Sequence, residues 1–580
     1  MEELLLDKPG EKIILLGNEA IVRGALEAGV NFVSTYPGTP ASEIGNTFFK
    51  IAKKAGVYFE FSTNEKVALE AGIGASFSGL KTLVAMKNFG LNVCLDALLP
   101  FAYTGTKGPT VIIVADDPSC HSSAQSEENS RGFAYVSYIP FLEPSDPQEC
   151  KDFTKLAFQI SEKFKIPVII RTTTRVAHQK APVKLGEIFR YRNEVSGAEF
   201  IKDIKRFVTL PPRVLEMKEE LLAKIEKIKE FSESSPINQL YRGQTSAKLG
   251  IITSGISYLY VMEALQKLNL SLPVLKLGFF YPLPEKKIKN FIKPLKKVLI
   301  VEELEPFLEK ETERLAKDVN CNLKVAGKEL MSEVGELKPE IVTAAVAKFS
   351  NKKYKFQAPV LKLQVPKRLP VLCPGCPYWL VISAIKKTVD VNKVIFGGEI
   401  GCYMLFGNPP VNLQDYLFCM GSSVGIAHGI MKASSFVSAS TKAASFAEVA
   451  SATKAESADK KTTEDKRKLI TFIGDSSFFH AGIPALINTV FNKSNPLLII
   501  LANQTTAMTG HQPHPSAPVT PDGIKIEPIV RACGVKYVKT IDQINQEEFS
   551  NTIKEFLDKD EVSVIIATNP CKFVAKKKNV

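Results

Sequence analysis

Short apolar runs alternate with stretches of helical period along most of this chain, and that alternation restricts it to layered α/β architectures with parallel sheets. Ile13 to Leu16 reads as a strand, Glu19 to Ala28 as a helix stopped by Gly29, and Phe32 to Tyr36 as a strand running into Pro37-Gly38-Thr39-Pro40. Phe59 to Ser62, Thr82 to Met86, Val111 to Val114 and Ile166 to Ile170 continue the strands, with a helix from Glu65 to Ser78. These define a first α/β domain at 1–185. Residues 186–245 turn Lys- and Glu-rich, carry a helix from Arg213 to Phe231, and read as a linker. A second α/β domain, 246–350, places a helix from Ile256 to Lys267 between strands at Lys248 to Thr253 and Val298 to Glu302. A linker at 351–368 leads to a third domain, 369–580. Its strands are Val394 to Phe396, Leu469 to Ile473, Leu497 to Ala502 and Val562 to Ala567. Inside it, 433–467 consist largely of Ala, Ser, Thr and Lys, a low-complexity insert read as a surface loop.

At 580 residues the chain has room for several domains. No apolar run is long enough to span a bilayer, and the polar, acidic start, Met1 to Lys12, does not read as a signal peptide. The cytoplasm is the expectation. Ten cysteines scattered over this length are not a disulfide framework, and only Cys373 and Cys376 lie close in sequence. The net charge of +13 raises nucleic-acid binding, but the lysines are dispersed and no basic helix is interleaved with aromatics. A solvated surface, or one that steers an acidic protein partner, is the better reading.

The sharpest local signal is Ile473-Gly474-Asp475-Ser476-Ser477, where an apolar strand ends in Gly-Asp and a helix-like stretch follows from His480. A second strand ends 28 residues later in Asn503-Gln504-Thr505. Carboxyl ends of parallel strands are the ligand edge of such sheets. Magnesium takes hard oxygen ligands and commonly shares them with phosphate. Asp475, Asn503 and the carbonyl of Thr505 are therefore assigned to Mg²⁺, with a diphosphate completing the shell. Gly474 and Ser476, and the turn Gly421-Ser422-Ser423-Val424-Gly425, would offer backbone donors to that diphosphate. Taken alone, Asp475 could simply cap a helix. The two strand ends at this spacing resemble the thiamine diphosphate-binding motif, with Ser476 where that motif usually has Gly.

Thiamine chemistry needs a carboxylate against the aminopyrimidine ring, to favour the imino tautomer and loss of the C2 proton. Ser62-Thr63-Asn64-Glu65-Lys66-Val67-Ala68-Leu69-Glu70 supplies two acids that do not share a helix face. Glu65, at the strand's end, is favoured over Glu70. Its bland reading is an ordinary first-turn Glu facing the helix dipole.

Tyr36 to Pro40, Asn64 to Glu70, Cys373-Pro374-Gly375-Cys376-Pro377, Gly474 to Gly482 and Thr505 to Pro515, in this order, resemble the large, thiamine-bearing subunit of indolepyruvate:ferredoxin oxidoreductases. The resemblance runs from about residue 12 to 575 apart from the insert. It implies a pyrimidine-binding domain, a transketolase-C-terminal-like domain and a diphosphate-binding domain. It further implies oxidative decarboxylation of an aryl pyruvate to acyl-coenzyme A, with ferredoxin as acceptor and a smaller beta subunit as partner. A dimer of this chain within a hetero-oligomer follows from the same likeness. Thr39 would face the substrate carbonyl and Glu65 the pyrimidine, with His480, His511 and His514 as weaker candidates for proton handling.

The resemblance also implies a four-iron cluster on Cys373, Cys376, Cys402 and Cys571. Zinc on the same thiolates, or buried thiols with no metal, are the competing readings. After Cys571 the sequence carries none of the Cys-x-x-Cys-x-x-Cys repeats of the family's ferredoxin domain, so the electron exit is expected to be a separate subunit, a direct docking site, or missing. Two other functions remain open at this point: a non-oxidative 2-oxo acid decarboxylase, and a silent subunit of an oxidoreductase complex.

Overall fold

A computed structural model describes residues 2–122, 125–188, 199–243, 248–355, 369–434, 468–517 and 522–578. The chain divides into two compact units, Met1–Leu361 and Lys362–Val580. Most of the insert and most of the second linker lie outside the described residues.

The first unit is built on a seven-stranded sheet ordered 279–281, 141–142, 168–173, 110–116, 82–87, 32–35, 58–61. Its five strands from Val168–Thr173 to Tyr58–Phe61 are parallel. The central strand Thr110–Asp116 is buried at every residue, which explains its unbroken apolar run: helices cover both faces. A five-stranded sheet ordered 324–326, 297–301, 249–254, 274–277, 239–241 forms the rest of the unit.

Three features differ from the sequence reading. The strand Lys12–Leu16 stays out of the parallel sheet and pairs antiparallel with Lys180–Lys184. Its Ile14 is exposed; a two-stranded ribbon needs only one buried face. Residues 186–245 are more than a connection. Helix Arg213–Ser234 buries Met217, Leu221, Ile225, Ile228 and Ser232 along one stripe, and Gln239–Tyr241 joins the five-stranded sheet. Finally, Phe279–Tyr281 crosses from the second α/β region to pair with Phe141–Leu142 at the edge of the first sheet.

The two sheets of this unit are also tied by buried charge. Arg131 Nε and Nη2 donate to the Glu143 carboxylate at 2.7 Å each, and Nη1 reaches Glu302 at 2.6 Å. Arg171 joins Asp116 at 2.6 Å and Glu143 at 3.1 Å. Two arginines facing three carboxylates keep each ion partnered in a site shut off from water.

The second unit is a six-stranded parallel sheet ordered 416–417, 394–398, 468–474, 497–502, 563–568, 537–541. The chain moves outward from Val394–Gly398 to Tyr416–Leu417, then returns on the other side at Lys468–Gly474. The gap between the carboxyl ends of Val394–Gly398 and Lys468–Gly474 is therefore a topological switch point, the place where open parallel sheets bind ligands.

Candidate active site

Asp475 lies at that switch point in the second unit and is 3% exposed. Helical structure begins at Asp475 itself, and a π-turn over Phe478–Gly482 joins it to helix Ile483–Phe491. The helix thus starts five residues before the expected start near His480. One carboxylate oxygen of Asp475 accepts from Ser476 N at 2.9 Å, the other from Gln504 N at 2.9 Å. Asp475 is thereby clipped to the end of the neighbouring strand Leu497–Ala502, where Asn503 and Thr505 are also buried. Asn503 Oδ1 accepts from Thr505 N at 3.1 Å. Gln504, between them, sits at φ 61, a left-handed turn that reverses the chain. The structure therefore brings together Asp475, Asn503 and Thr505, as the spacing predicts. A buried carboxylate beside an amide and a backbone carbonyl is a donor set suited to Mg²⁺.

Gly421 precedes the helix over 422–434 at φ 80. A Cβ there would lie 2.7 Å from Ala481 Cβ, so the turn requires glycine. Ser422 Oγ turns back onto Cys419 O at 2.5 Å.

Glu399, fully buried, holds this turn against the Gly474 loop. Its Oε2 accepts from Gly421 N at 3.1 Å, and its Oε1 accepts from Tyr403 OH, which in turn accepts from Gly474 N at 2.8 Å. Burial pushes the Glu399 carboxyl up to about 8, against the opposing pull of hydrogen bonds from Gly421, Ser477, Gly474 and Ile400.

Four cysteines converge on one cavity of about 120 Å³, lined by Cys373, Cys376, Cys402 and Cys571 together with Asn503 and His511. The Cys376 thiol is pushed up to about 11 by burial, with Cys373 and Cys571 adding to it. Cys402 is pushed to about 12 by burial, then by the other three. His511 Nε2 is 3.7 Å from Cys571 Sγ. Among the described residues no three His, Cys, Asp or Glu side chains are arranged to hold a single metal ion. A cubane cluster requires a wider cage with one thiolate per iron, and four cysteines around one void fit that donor set.

The other two histidines fall near the Asp475 loop. His480 is buried in the π-turn. His514 Nε2 stands 3.3 Å from Asp475 Oδ2.

In the first unit, Glu65 begins helix Glu65–Phe77 after strand Tyr58–Phe61 and is 7% exposed. Asn64 caps the helix by accepting from Val67 N at 2.8 Å. A Cβ on Gly90 would lie 2.5 Å from Glu65 Cγ, so the neighbouring helix passes close over this carboxylate only because residue 90 is glycine. Glu70 points outward and pairs with Lys66, which separates the two acids. Thr39 is half-buried, its Oγ1 3.4 Å from Ser42 Oγ.

Residues 23–218 match the family "Pyruvate flavodoxin/ferredoxin oxidoreductase, thiamine diP-bdg". Residues 239–349 match "Indolepyruvate oxidoreductase domain", and 399–567 "Thiamine pyrophosphate enzyme, C-terminal TPP binding domain". The chain is 41% identical over 588 residues to the indolepyruvate oxidoreductase subunit IorA of Methanothermobacter thermautotrophicus, covering 98% of this chain and 88% of that one. The IorA of Pyrococcus horikoshii is also 41% identical, covering 98% and 87%. This chain belongs to the IorA family of indolepyruvate oxidoreductase subunits.

As a member of the IorA family it is a subunit of a thiamine diphosphate-dependent 2-oxo acid oxidoreductase. A more distant relative, the 2-oxoglutarate synthase subunit KorA of Archaeoglobus fulgidus, is 28% identical over 326 residues, 53% of this chain and 92% of that one. No helix among the described residues is long and apolar enough to cross a membrane.

Sequence reasoning missed Glu399 and Tyr403. Glu399 was visible only as the residue before Ile400-Gly401-Cys402, although an acid closing the apolar strand Val394–Gly398 at its ligand edge is a signal in itself.

Proposed function

We propose that this chain, with a smaller beta subunit, oxidatively decarboxylates an aryl pyruvate to its acyl-coenzyme A, passing electrons to ferredoxin. The observation that carries the redox part is the convergence of Cys373, Cys376, Cys402 and Cys571 on one cavity that Asn503 also lines. An electron acceptor held there would border the diphosphate end of the cofactor site.

Thiamine diphosphate, when bound, supplies the electron sink for loss of CO₂. Asp475, Asn503 and the Thr505 carbonyl would hold Mg²⁺, which anchors the diphosphate and is not needed to activate water. The Gly421 turn, Ser422, Gly474 and Ser476 would present donors to the diphosphate. Glu65 would hold a proton at the pyrimidine ring nitrogen, its carboxyl kept in place by the close passage of Gly90. Thr39 would orient the substrate carbonyl. The four thiols would release their protons on binding iron, and a [4Fe-4S] cluster held by them would supply one-electron acceptance.

The test is anaerobic purification with the co-purifying partner, followed by iron, sulfide and thiamine diphosphate counts per chain. About four irons and one cofactor are expected for a cubane on four cysteines. Cofactor without iron in a reconstituted sample would remove the redox step and leave a decarboxylase that releases an aldehyde.

A further inference from the structure

The first unit holds a cation with no part in the chemistry above. The chain moves outward from strand Phe32–Thr35 to Tyr58–Phe61, then returns on the other side at Thr82–Lys87. The first sheet therefore has its own switch point, between the carboxyl ends of Phe32–Thr35 and Thr82–Lys87. Thr39 follows one of these ends and Lys87 closes the other.

Lys87 is half-buried. Its ammonium donates to Ser122 Oγ at 2.9 Å and to the Ser122 carbonyl at 3.4 Å, and lies 5.1 Å from the Phe89 ring centroid. The same Ser122 Oγ is 2.9 Å from the Thr39 carbonyl oxygen. A Cβ on Gly38 would stand 2.8 Å from Lys87 Cβ, so the bare glycine lets the lysine stem run alongside the Thr39 loop.

Every direct partner of Lys87 among the described residues is neutral. Asp117 is reached only through Ser122, whose N–H it accepts at 2.7 Å and whose Oγ also donates to it. Burial lowers the Lys87 pKa, while Asp117, Cys120, Glu128 and Glu65 act in the opposite sense from further away. A partly desolvated ammonium that touches only neutral groups is incompletely compensated, and an arriving anion would complete it.

We propose that Lys87 binds the carboxylate of the 2-oxo acid and is the residue that selects acids over their neutral analogues. This rests on the thiamine-dependent reading above. A carboxylate on Lys87 would leave the adjacent carbonyl beside Thr39. The carboxylate departs as neutral CO₂, so its ion pair is strongest in the ground state and contributes to KM rather than to kcat.

The experiment uses the complete complex with wild-type, Lys87→Met, Lys87→Gln and Lys87→Arg chains. KM and kcat are measured for an aryl pyruvate, and inhibition constants for the corresponding aryl pyruvamide, which keeps the ketone and lacks the charge. In Lys87→Met and Lys87→Gln the acid's KM should rise roughly 30-fold or more, as for losing one partner of a buried charge pair. Their kcat should change less than about 3-fold, with amide inhibition and cofactor content unchanged, and Lys87→Arg should recover part of the loss. An acid KM within about 3-fold of wild type in Lys87→Gln would overturn the assignment. Equal weakening of acid and amide would also overturn it, since that marks a structural role. If the wild-type complex turns over no 2-oxo acid, the underlying functional reading fails first, and the substrate assignment falls with it.

Discussion

Replacing Glu399 should uncouple the two loops that face the switch point of the second unit. In Glu399→Ala, Gly421 N loses its acceptor, and Tyr403 OH loses the carboxylate that positions it under Gly474 N. Each buried donor left unmatched costs about 1–3 kcal/mol, so the pair costs about 2–6 kcal/mol. For a unit of roughly 200 residues that lowers Tm by about 4–24 °C, at 2–4 °C per kcal/mol. Glu399→Gln keeps the shape but cannot ionise, and it separates packing from charge. The wild-type carboxyl sits at about 8 in the fold against an ordinary 4.5. Its folded pKa lies above its unfolded one, so the folded state holds the proton more tightly. That contribution is complete below about pH 4.5 and is lost as pH rises through about 8. Differential scanning fluorimetry of wild-type and Glu399→Gln proteins from pH 5 to 9 should show a falling Tm in the first and a flatter profile in the second. Thiamine diphosphate affinity should follow the same order above pH 8, because an ionised Glu399 repels a neighbouring diphosphate. Identical pH profiles, or an alanine variant as stable as wild type, would refute the clip.

The remaining expectations are simpler to state. Asp475→Asn removes the single carboxylate of the metal site and should weaken Mg²⁺-dependent thiamine diphosphate binding about 100-fold, near 2.7 kcal/mol, by isothermal titration. Gly421→Ala forces a side chain into a left-handed turn against Ala481; about 1–2 kcal/mol of backbone strain should appear as lost cofactor affinity. Arg131→Met leaves Glu143 and Glu302 buried without their main partner and should cost the first unit about 3–5 kcal/mol in urea unfolding. Cys402→Ser should reduce bound iron in an anaerobic preparation while leaving thiamine diphosphate content unchanged.

Which residues were legible in the sequence depends on how the chain is routed. Gly474-Asp475 and Asn503 could be read directly because each lies at the end of its own apolar strand, and those two strands, Lys468–Gly474 and Leu497–Ala502, are neighbours in the sheet. Glu65 could be read for the same reason, and its burial, with Glu70 turned outward to pair with Lys66, separates the two acids in the fold. Glu399 and Lys87 each close a strand too, but their meaning comes from the chain's return to the far side of an earlier strand. Glu399 faces Gly474 across 75 residues, much of that length taken up by the low-complexity insert. Lys87 reaches the Thr39 loop through Ser122, 83 residues from Thr39. No local pattern encodes burial produced by such a return, so the strand-end position marks an acid or a lysine there as a candidate without showing that it is buried. The cysteines divide along the same line: Cys373 and Cys376 are close in sequence, whereas Cys402 and Cys571 share their cavity only after the sheet has formed. In both units the readable motif occupies one wall of a switch-point crevice and the unread charge the other. A parallel sheet with a reversal in strand order therefore gives a direct rule: inspect the last residue of the strand across the reversal from any recognised motif.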